Sequence, residues 1–196
     1  MHPAPLPIVS DGTRRGFLAA TAVGAAAFAI TLTLGNSLRA WQALLVNFLF
    51  FGGLAQAGVV ISAIMQVTSS RWGRALKRTA EATSAFLPVS FLLLLILLAG
   101  TADWLPWVDE PVESKQAWLN VPFLVVRQVA GFFILSGLSL LYVGHSLRPD
   151  IGQLDESGAE PATGLSRRLI ANWRGLNAER EASQRIQNRL APAILI

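Results

Sequence analysis

Cysteine is absent from this chain of 196 residues, and histidine occurs only twice, as His2 and His145. Without cysteine the chain cannot form a disulfide, a thiolate zinc site, an iron–sulfur cluster or a covalently attached haem of its own. A haem held between two histidines inside the helices is disfavoured as well, because only His145 lies near an apolar run. We therefore expect the chain to bind no metal centre.

Charged residues are also scarce, at 14% of the chain, whereas 53% of the residues are hydrophobic and the mean hydropathy is +0.48. Soluble domains carry about a quarter charged residues, so the composition indicates a membrane protein. The net charge of +4 is no sign of nucleic-acid binding, because the basic residues lie between apolar runs and form no continuous basic surface. The lipid bilayer is the expected partner.

Four apolar runs are each close to the roughly 20 residues that cross about 30 Å of hydrocarbon. They cover residues 16–34, 42–67, 82–100 and 121–143. None alternates between polar and apolar residues as a barrel strand would, and a lipid-exposed backbone must satisfy its own hydrogen bonds. The sequence predicts an all-α, polytopic transmembrane bundle with four complete spans between residues 16 and 145.

The basic residues predict how the bundle is oriented. Thirteen of the 16 fall on segments that would share one side: Arg14, Arg15, Arg71, Arg74, Lys77, Arg78, Arg148, Arg167, Arg168, Arg174, Arg180, Arg185 and Arg189. The opposite loops carry only Arg39 and Lys115. Because cytoplasmic loops are rich in lysine and arginine, residues 1–15 are expected in the cytoplasm of a bacterium, beneath its inner membrane.

Residues 13–18 also resemble a twin-arginine export signal ahead of an apolar stretch. A cleaved signal would normally leave a soluble domain, but three further apolar runs follow here. We favour reading Arg14 and Arg15 as a positive-inside anchor.

The C-terminal part is predicted to be a cytoplasmic segment, residues 146–189, followed by the start of a fifth span at residues 190–196. Residues 148–164 are rich in proline, glycine and acids and predict a loop. An amphipathic helix on the membrane surface is predicted from Leu165, because Leu165, Leu169, Trp173 and Leu176 recur at helical spacing. The final apolar run suggests that the chain belongs to a larger bundle.

The second span carries small and amide residues. Gly53 and Ala57 have the spacing of a helix-packing surface, expected to pack within the bundle or to form a dimer seam. Asn47 and Gln56 need hydrogen-bond partners in lipid, so they are candidates for a ligand cavity or for contacts between helices. In the third span, Pro88 should kink the helix.

Arg127 and Glu81 are the candidate ionisable residues near the spans. Arg127 lies about 9 Å inside the fourth span, where a charge indicates function unless its side chain reaches outward to Asp109, Glu110 or Glu113. Glu81, at the start of the third span, is either a proton-path residue or an acid favoured by a helix N-terminus.

The loop at residues 101–120 holds Trp104, Trp107 and Trp118 among several acids. Tryptophan is typical of the membrane interface, so a belt at headgroup depth is expected. The acids offer an alternative, a docking site for a partner outside the cell.

Three stretches resemble the NrfD/PsrC-like membrane subunits, most closely the quinol:cytochrome c oxidoreductase subunit of alternative complex III. They are carried by Arg39, Trp41, Asn47, Phe48, Phe51, Gly52, Gly53 and Gly58, then by Arg71, Trp72, Gly73, Arg78, Glu81, Leu87 and Pro88, and last by Trp118, Asn120, Pro122, Phe123 and Arg127.

The resemblance implies the smaller membrane subunit of a quinol-oxidising respiratory complex, with no cofactor of its own. Haem and iron–sulfur clusters would belong to cytochrome c and iron–sulfur subunits, beside a sister NrfD-like membrane subunit. The resemblance carries over no quinone ligand, so the candidate positions for quinone or quinol are the polar bundle residues Asn47, Gln56 and Arg127. The rival class is a transporter or a structural membrane protein, although no internal repeat is found.

Overall fold

The computed structural model describes residues 10–35, 37–70, 73–110, 113–158 and 164–196, and throughout these ranges the ordered elements are helical. The α-helices are α1 (Asp11–Thr33), α2 (Ser37–Val67), α3 (Arg74–Ala82), α4 (Leu87–Ala99), α5 (Thr101–Trp104), α6 (Pro106–Asp109), α7 (Val121–Glu156), α8 (Gly164–Leu169) and α9 (Leu176–Leu195). Short 3-10 turns occupy Thr83–Phe86 and Glu113–Lys115. Arg71 and Trp72, two residues of the family resemblance, lie outside the described ranges.

Four stretches are long and apolar enough to cross a membrane: Asp11–Thr33, Ser37–Val67, Leu76–Ala99 and Val121–Glu156. The predicted all-α bundle with four spans is confirmed, and the chain is a multi-pass membrane protein. Each helix extends beyond its apolar run, because a helix continues into water wherever its polar residues find partners.

α2 is the central helix, and small residues on one face let its neighbours approach closely. Gly52, Ala55 and Gly58 are buried there. A Cβ atom on Gly58 would overlap the carbonyl oxygen of Ala80, so α3 packs directly against the α2 backbone. Gly53 and Ala57 do not pack within the bundle, because both are exposed on the other side of α2, and their alternative role in a dimer seam stays a prediction.

The α-helix of the third span is interrupted by a 3-10 turn just before Pro88, where the sequence predicted a kink. α3 ends at Ala82, the 3-10 turn Thr83–Phe86 follows, and Pro88 stands in the first turn of α4. Beyond the break, one side of α4 faces the bundle through Leu87, Ser90, Leu94 and Leu97, which recur every three or four residues.

α7 corrects the first part of the predicted loop at residues 148–164, of which residues 159–163 lie outside the described ranges. The helix continues for 36 residues to Glu156, with Pro149 inside it. At 1.5 Å per residue this is about 54 Å, well beyond the hydrocarbon thickness. The extension is stabilised by packing rather than by propensity, because the Trp173 ring fills the space where a side chain on Gly152 would stand.

The C-terminal region differs from its prediction too. The prediction of a single amphipathic helix from Leu165 is wrong. α8 ends at Leu169, and the chain then turns through Asn172 and Gly175, both with positive φ. The final apolar run is the end of α9, which begins at Leu176. α9 enters the bundle, since its residues Ala191 and Ile194 join α2 and α7 in the buried core.

The bundle has two chemically distinct ends. We call the basic end the one formed by α3, the last part of α7, α8 and α9, and the tryptophan end the one formed by α5, α6 and residues 113–120. At the tryptophan end Trp41 is buried and connects three helices. Its indole N–H donates to Asp103 of α5 at 3.2 Å, and its ring contacts the Phe28 ring of α1 edge to face. α1 itself has no buried residue.

Candidate functional site

The most buried charged group of the third span is Glu81, whose side chain is 1% exposed. Its Oε1 accepts hydrogen bonds from Ser62 Oγ of α2 and Ser146 Oγ of α7, each at 2.7 Å. Its Oε2 pairs with Arg78, one turn earlier on α3. Three helices therefore converge on one carboxylate.

Tyr142 completes this cluster from α7. Its ring is fully buried, and its hydroxyl donates to the carbonyl oxygen of Ser62 at 3.0 Å, with Ser62 Oγ 3.2 Å away. We call Ser62, Arg78, Glu81, Tyr142 and Ser146 the Glu81 network. It places a charge and three hydroxyls in contact with one another at the boundary between the apolar core and the basic end.

Arg78 ties the network to the outside of α7. It donates to Ser146 Oγ at 2.7 Å and to the carbonyl oxygen of Ser146 at 3.0 Å, and it pairs with Asp150 at 2.8 Å. A buried carboxylate is tolerated only when it is paired and fully hydrogen-bonded, and these contacts meet that condition.

The helix-dipole interpretation of Glu81 is wrong. α3 runs from Arg74 to Ala82, so Glu81 is the penultimate residue of that helix rather than one of its first. The partial charge at a helix C-terminus opposes an acid, and Glu81 is stabilised instead by Arg78 and the two serine hydroxyls.

An open cavity of about 680 Å³ adjoins the network at the basic end. Lys77 stands between the two: its Nζ donates to the amide oxygens of Gln66 and Gln187, and it lies 3.9 Å from Glu81 Oε1. The cavity is therefore a polar vestibule, one side chain away from the buried carboxylate.

The candidate residues Asn47, Gln56 and Arg127 are not brought together. Asn47 donates to the carbonyl oxygen of Ala43, one turn earlier on α2, at 2.8 Å. Gln56 exchanges hydrogen bonds with Ser139 of α7 at 3.0 and 3.2 Å. Each amide thus has a partner within the bundle, and neither lines one of the cavities at the basic end.

Arg127 is stabilised by aromatic rings. Its guanidinium carbon lies 4.6 Å from the Trp118 ring centre and 5.4 Å from that of Phe123. Within the described ranges no carboxylate pairs with it, so the expected contact with Asp109, Glu110 or Glu113 is not found there, and its Nη1 has no hydrogen-bond partner. Trp118 thereby covers a charge, and its place at the membrane interface stays a prediction.

The structure contains a second buried acid that the sequence did not predict. Glu179 of α9 is 2% exposed and accepts from Arg148 Nε at 2.7 Å and from Arg174 Nε at 3.2 Å. The hydrogen bond from Arg148, helped by Arg174, lowers the pKa of Glu179 despite its burial. The available signal was the spacing of Glu179, Ser183 and Gln187 at every fourth residue, one helical face.

The chemistry that these residues could carry out is proton transfer or ion binding. In the part of the chain that the structure describes, no three metal-ligating side chains converge. A carboxylate that accepts from two serine hydroxyls, one of which contacts a tyrosine hydroxyl, can take part in proton transfer, but the same described residues assemble no nucleophile with an adjacent base.

No family model, curated protein or solved structure matches the chain.

Proposed function

We propose that this chain is a cofactor-free membrane subunit of a respiratory quinol:acceptor oxidoreductase, in which the Glu81 network serves proton transfer. The observation that carries the proposal is a fully buried carboxylate, hydrogen-bonded to hydroxyls from two other spans. Ionisable groups at such depth are costly and usually functional. The quinol and the partner subunits in this proposal are those that the family resemblance described above implies.

In the proposed orientation the N terminus and the basic end face the bacterial cytoplasm. The support is the bias of basic residues, many of which lie on α3, α8 and α9. Protons would enter through the vestibule, pass Lys77 and reach Glu81, with Ser62, Ser146 and Tyr142 as the next hydroxyls.

The proposal gives this chain no complete quinone site. Asn47 and Gln56 are occupied by contacts within α2 and with α7, and Arg127 is covered by Trp118. We place quinol at a surface shared with the sister membrane subunit. Iron–sulfur and cytochrome c subunits, with their clusters and haems, would lie on the tryptophan end.

Co-purification and turnover test the proposal. Gentle extraction of the native complex should yield iron–sulfur and haem spectra that the isolated chain lacks. Glu81→Gln removes the titratable proton and keeps the size of the side chain, although one acceptor oxygen becomes an amide donor, so it should slow proton uptake coupled to quinol oxidation by at least about tenfold. Glu181→Gln, an exposed acid on α9, is the matched control and should leave the rate unchanged.

Two outcomes would contradict this. An assembled Glu81→Gln complex with normal proton uptake would remove the network from the path. A chain that always purifies without redox-active partners would remove it from the complex.

A transporter is the second candidate, and the break in the third span favours it. Transporters bind substrates where discontinuous helices meet near buried charges, and here the turn Thr83–Phe86 directly follows α3, which carries Glu81. Solute uptake by the purified chain in liposomes, lost in Glu81→Gln, would establish this function instead.

A further inference from the structure

The vestibule at the basic end is lined by basic side chains that could bind an anion. It lies among α2, α3, α7 and α9, and the described residues of its wall include Lys77, Arg78, Arg180 and a single carboxylate, Asp150. Arg78 is committed to Glu81 and Asp150. Lys77 donates to two amide oxygens, and Arg180 donates to the Gln153 amide oxygen at 3.2 Å. Lys77 also lies within ion-pair distance of Glu81, at 3.9 Å, whereas Arg180 has no carboxylate partner among the described residues, so Arg180 is the cation most available to an anion.

Ser183 provides an independent sign of a ligand. Ser183 is one of the residues that line the vestibule, it is 1% exposed, and the described residues offer its hydroxyl no hydrogen-bond partner. It also borders the smaller cavity beside His145. A buried hydroxyl without a partner costs free energy, so such groups normally contact a ligand or water. An acceptor in the vestibule would satisfy it.

The depth of the vestibule points to the class of anion. Lys77 is the second residue of the apolar stretch Leu76–Ala99, so its ammonium stands where a span leaves the hydrocarbon, at the level of lipid head groups. Basic pockets between spans at this level suit phosphate-bearing head groups, and about 680 Å³ exceeds the needs of one small ion.

We propose that the vestibule binds a phosphate group, from either an anionic phospholipid or free phosphate. Lys77 and Arg180 supply the charge and Ser183 donates a hydrogen bond to a phosphate oxygen. This inference goes beyond the proposed function and does not depend on it: the two share Lys77 and the vestibule, but Arg180 and Ser183 have no part in the proposed proton path.

Native mass spectrometry of the full chain in detergent tests the proposal, with phosphatidylglycerol, phosphatidylcholine and inorganic phosphate as probes. Arg180→Gln should weaken phosphatidylglycerol binding about fivefold, the effect of one basic group near an anionic lipid. Ser183→Ala should also weaken it, without lowering the thermal stability of the lipid-free protein. Arg185→Gln, an exposed arginine on the same helix outside the vestibule, is the control.

The probes also distinguish the two sources. Phosphatidylglycerol that binds more tightly than phosphatidylcholine and resists millimolar phosphate identifies a lipid site. Phosphate that binds the lipid-free chain and excludes phosphatidylglycerol identifies a free-phosphate site. Equal binding of both lipids with no phosphate binding overturns the proposal, as does an equal loss in Arg180→Gln and Arg185→Gln.

Discussion

At the scale of the residue, the protein depends on a few positions where a side chain or its absence lets two helices meet. Gly58 is one, since α3 occupies the space beside it, whereas on Gly53 of the same helix an added methyl group would have nothing within 4 Å. Sequence spacing favoured Gly53, because a small-residue motif indicates a packing surface but not which side of the helix faces the bundle.

This pair of glycines gives the first prediction. Gly58→Ala should destabilise the protein by about 1–3 kcal/mol, because the new methyl group would collide with the Ala80 carbonyl and the Thr83 hydroxyl. Gly53→Ala should be neutral or stabilising by up to about 1 kcal/mol, through helix propensity alone. Thermal unfolding of both variants in the same detergent checks this, and equal stabilities would show that α3 does not sit against Gly58.

Glu81 shows what a sequence leaves undetermined at this scale. Its two serine partners lie 19 residues before it and 65 residues after it, on different spans. Serines in apolar runs are common, so neither is recognisable as a ligand of a carboxylate before the spans are packed. Arg78 alone was foreseeable, because it precedes Glu81 by three residues on the same helix.

At the scale of the element, α9 is attached to α7 by the Glu179 ion pairs. Glu179 accepts from Arg148 of α7 and from Arg174 of the turn before α9, so one carboxylate fixes the start of α9. Because hydrogen bonding to Arg148 lowers the pKa of Glu179, this stabilisation is fully present above the unfolded pKa of about 4.3. It is lost as the pH falls through the lower pKa of the folded state.

We therefore predict that α9 loosens in acid below about pH 4. The chain has no cysteine, so Ala191→Cys places a single thiol in the buried core. After brief acid exposure its labelling by a thiol reagent should rise. Glu179→Gln, added to this variant, should raise the labelling already at neutral pH. We expect it to lower the free energy of unfolding by about 1.5–3 kcal/mol, because that is the usual contribution of a hydrogen bond to a charged group.

Glu181→Gln is the control for this experiment, because Glu181 is exposed on the same helix. Its labelling should match that of the Ala191→Cys parent at every pH. If the thiol of the parent stays protected through the whole acid range, packing alone retains α9.

At the scale of the whole molecule, composition predicted the four spans because lipid imposes the same requirement on every crossing segment. The basic end could not be predicted in the same way. The last part of α7 and the part of α9 before residue 190 are too polar to produce an apolar signal, and they are helical because they pack on each other and on α2.

The orientation of the bundle is a prediction at this scale. A reporter active only in the cytoplasm should work when fused after Arg74 and fail when fused after Asp109, because α4 crosses between the two positions. A periplasmic reporter should give the reciprocal pattern. If both reporters instead place Arg74 outside and Asp109 in the cytoplasm, the vestibule opens outward and protons cannot enter it from the cytoplasm.

The polar stripe along α9 also has a consequence for biogenesis. A helix that presents Glu179, Ser183 and Gln187 on one face would partition poorly into bare lipid, and it lies outside the four stretches that are apolar enough to span alone. Its receiving surface includes Arg148 of α7 and Gln66 and Lys77 of the earlier helices. Synthesis and insertion of α2, α3 and α7 must therefore precede the entry of α9, so this helix can be accepted by the membrane only after the others are in place.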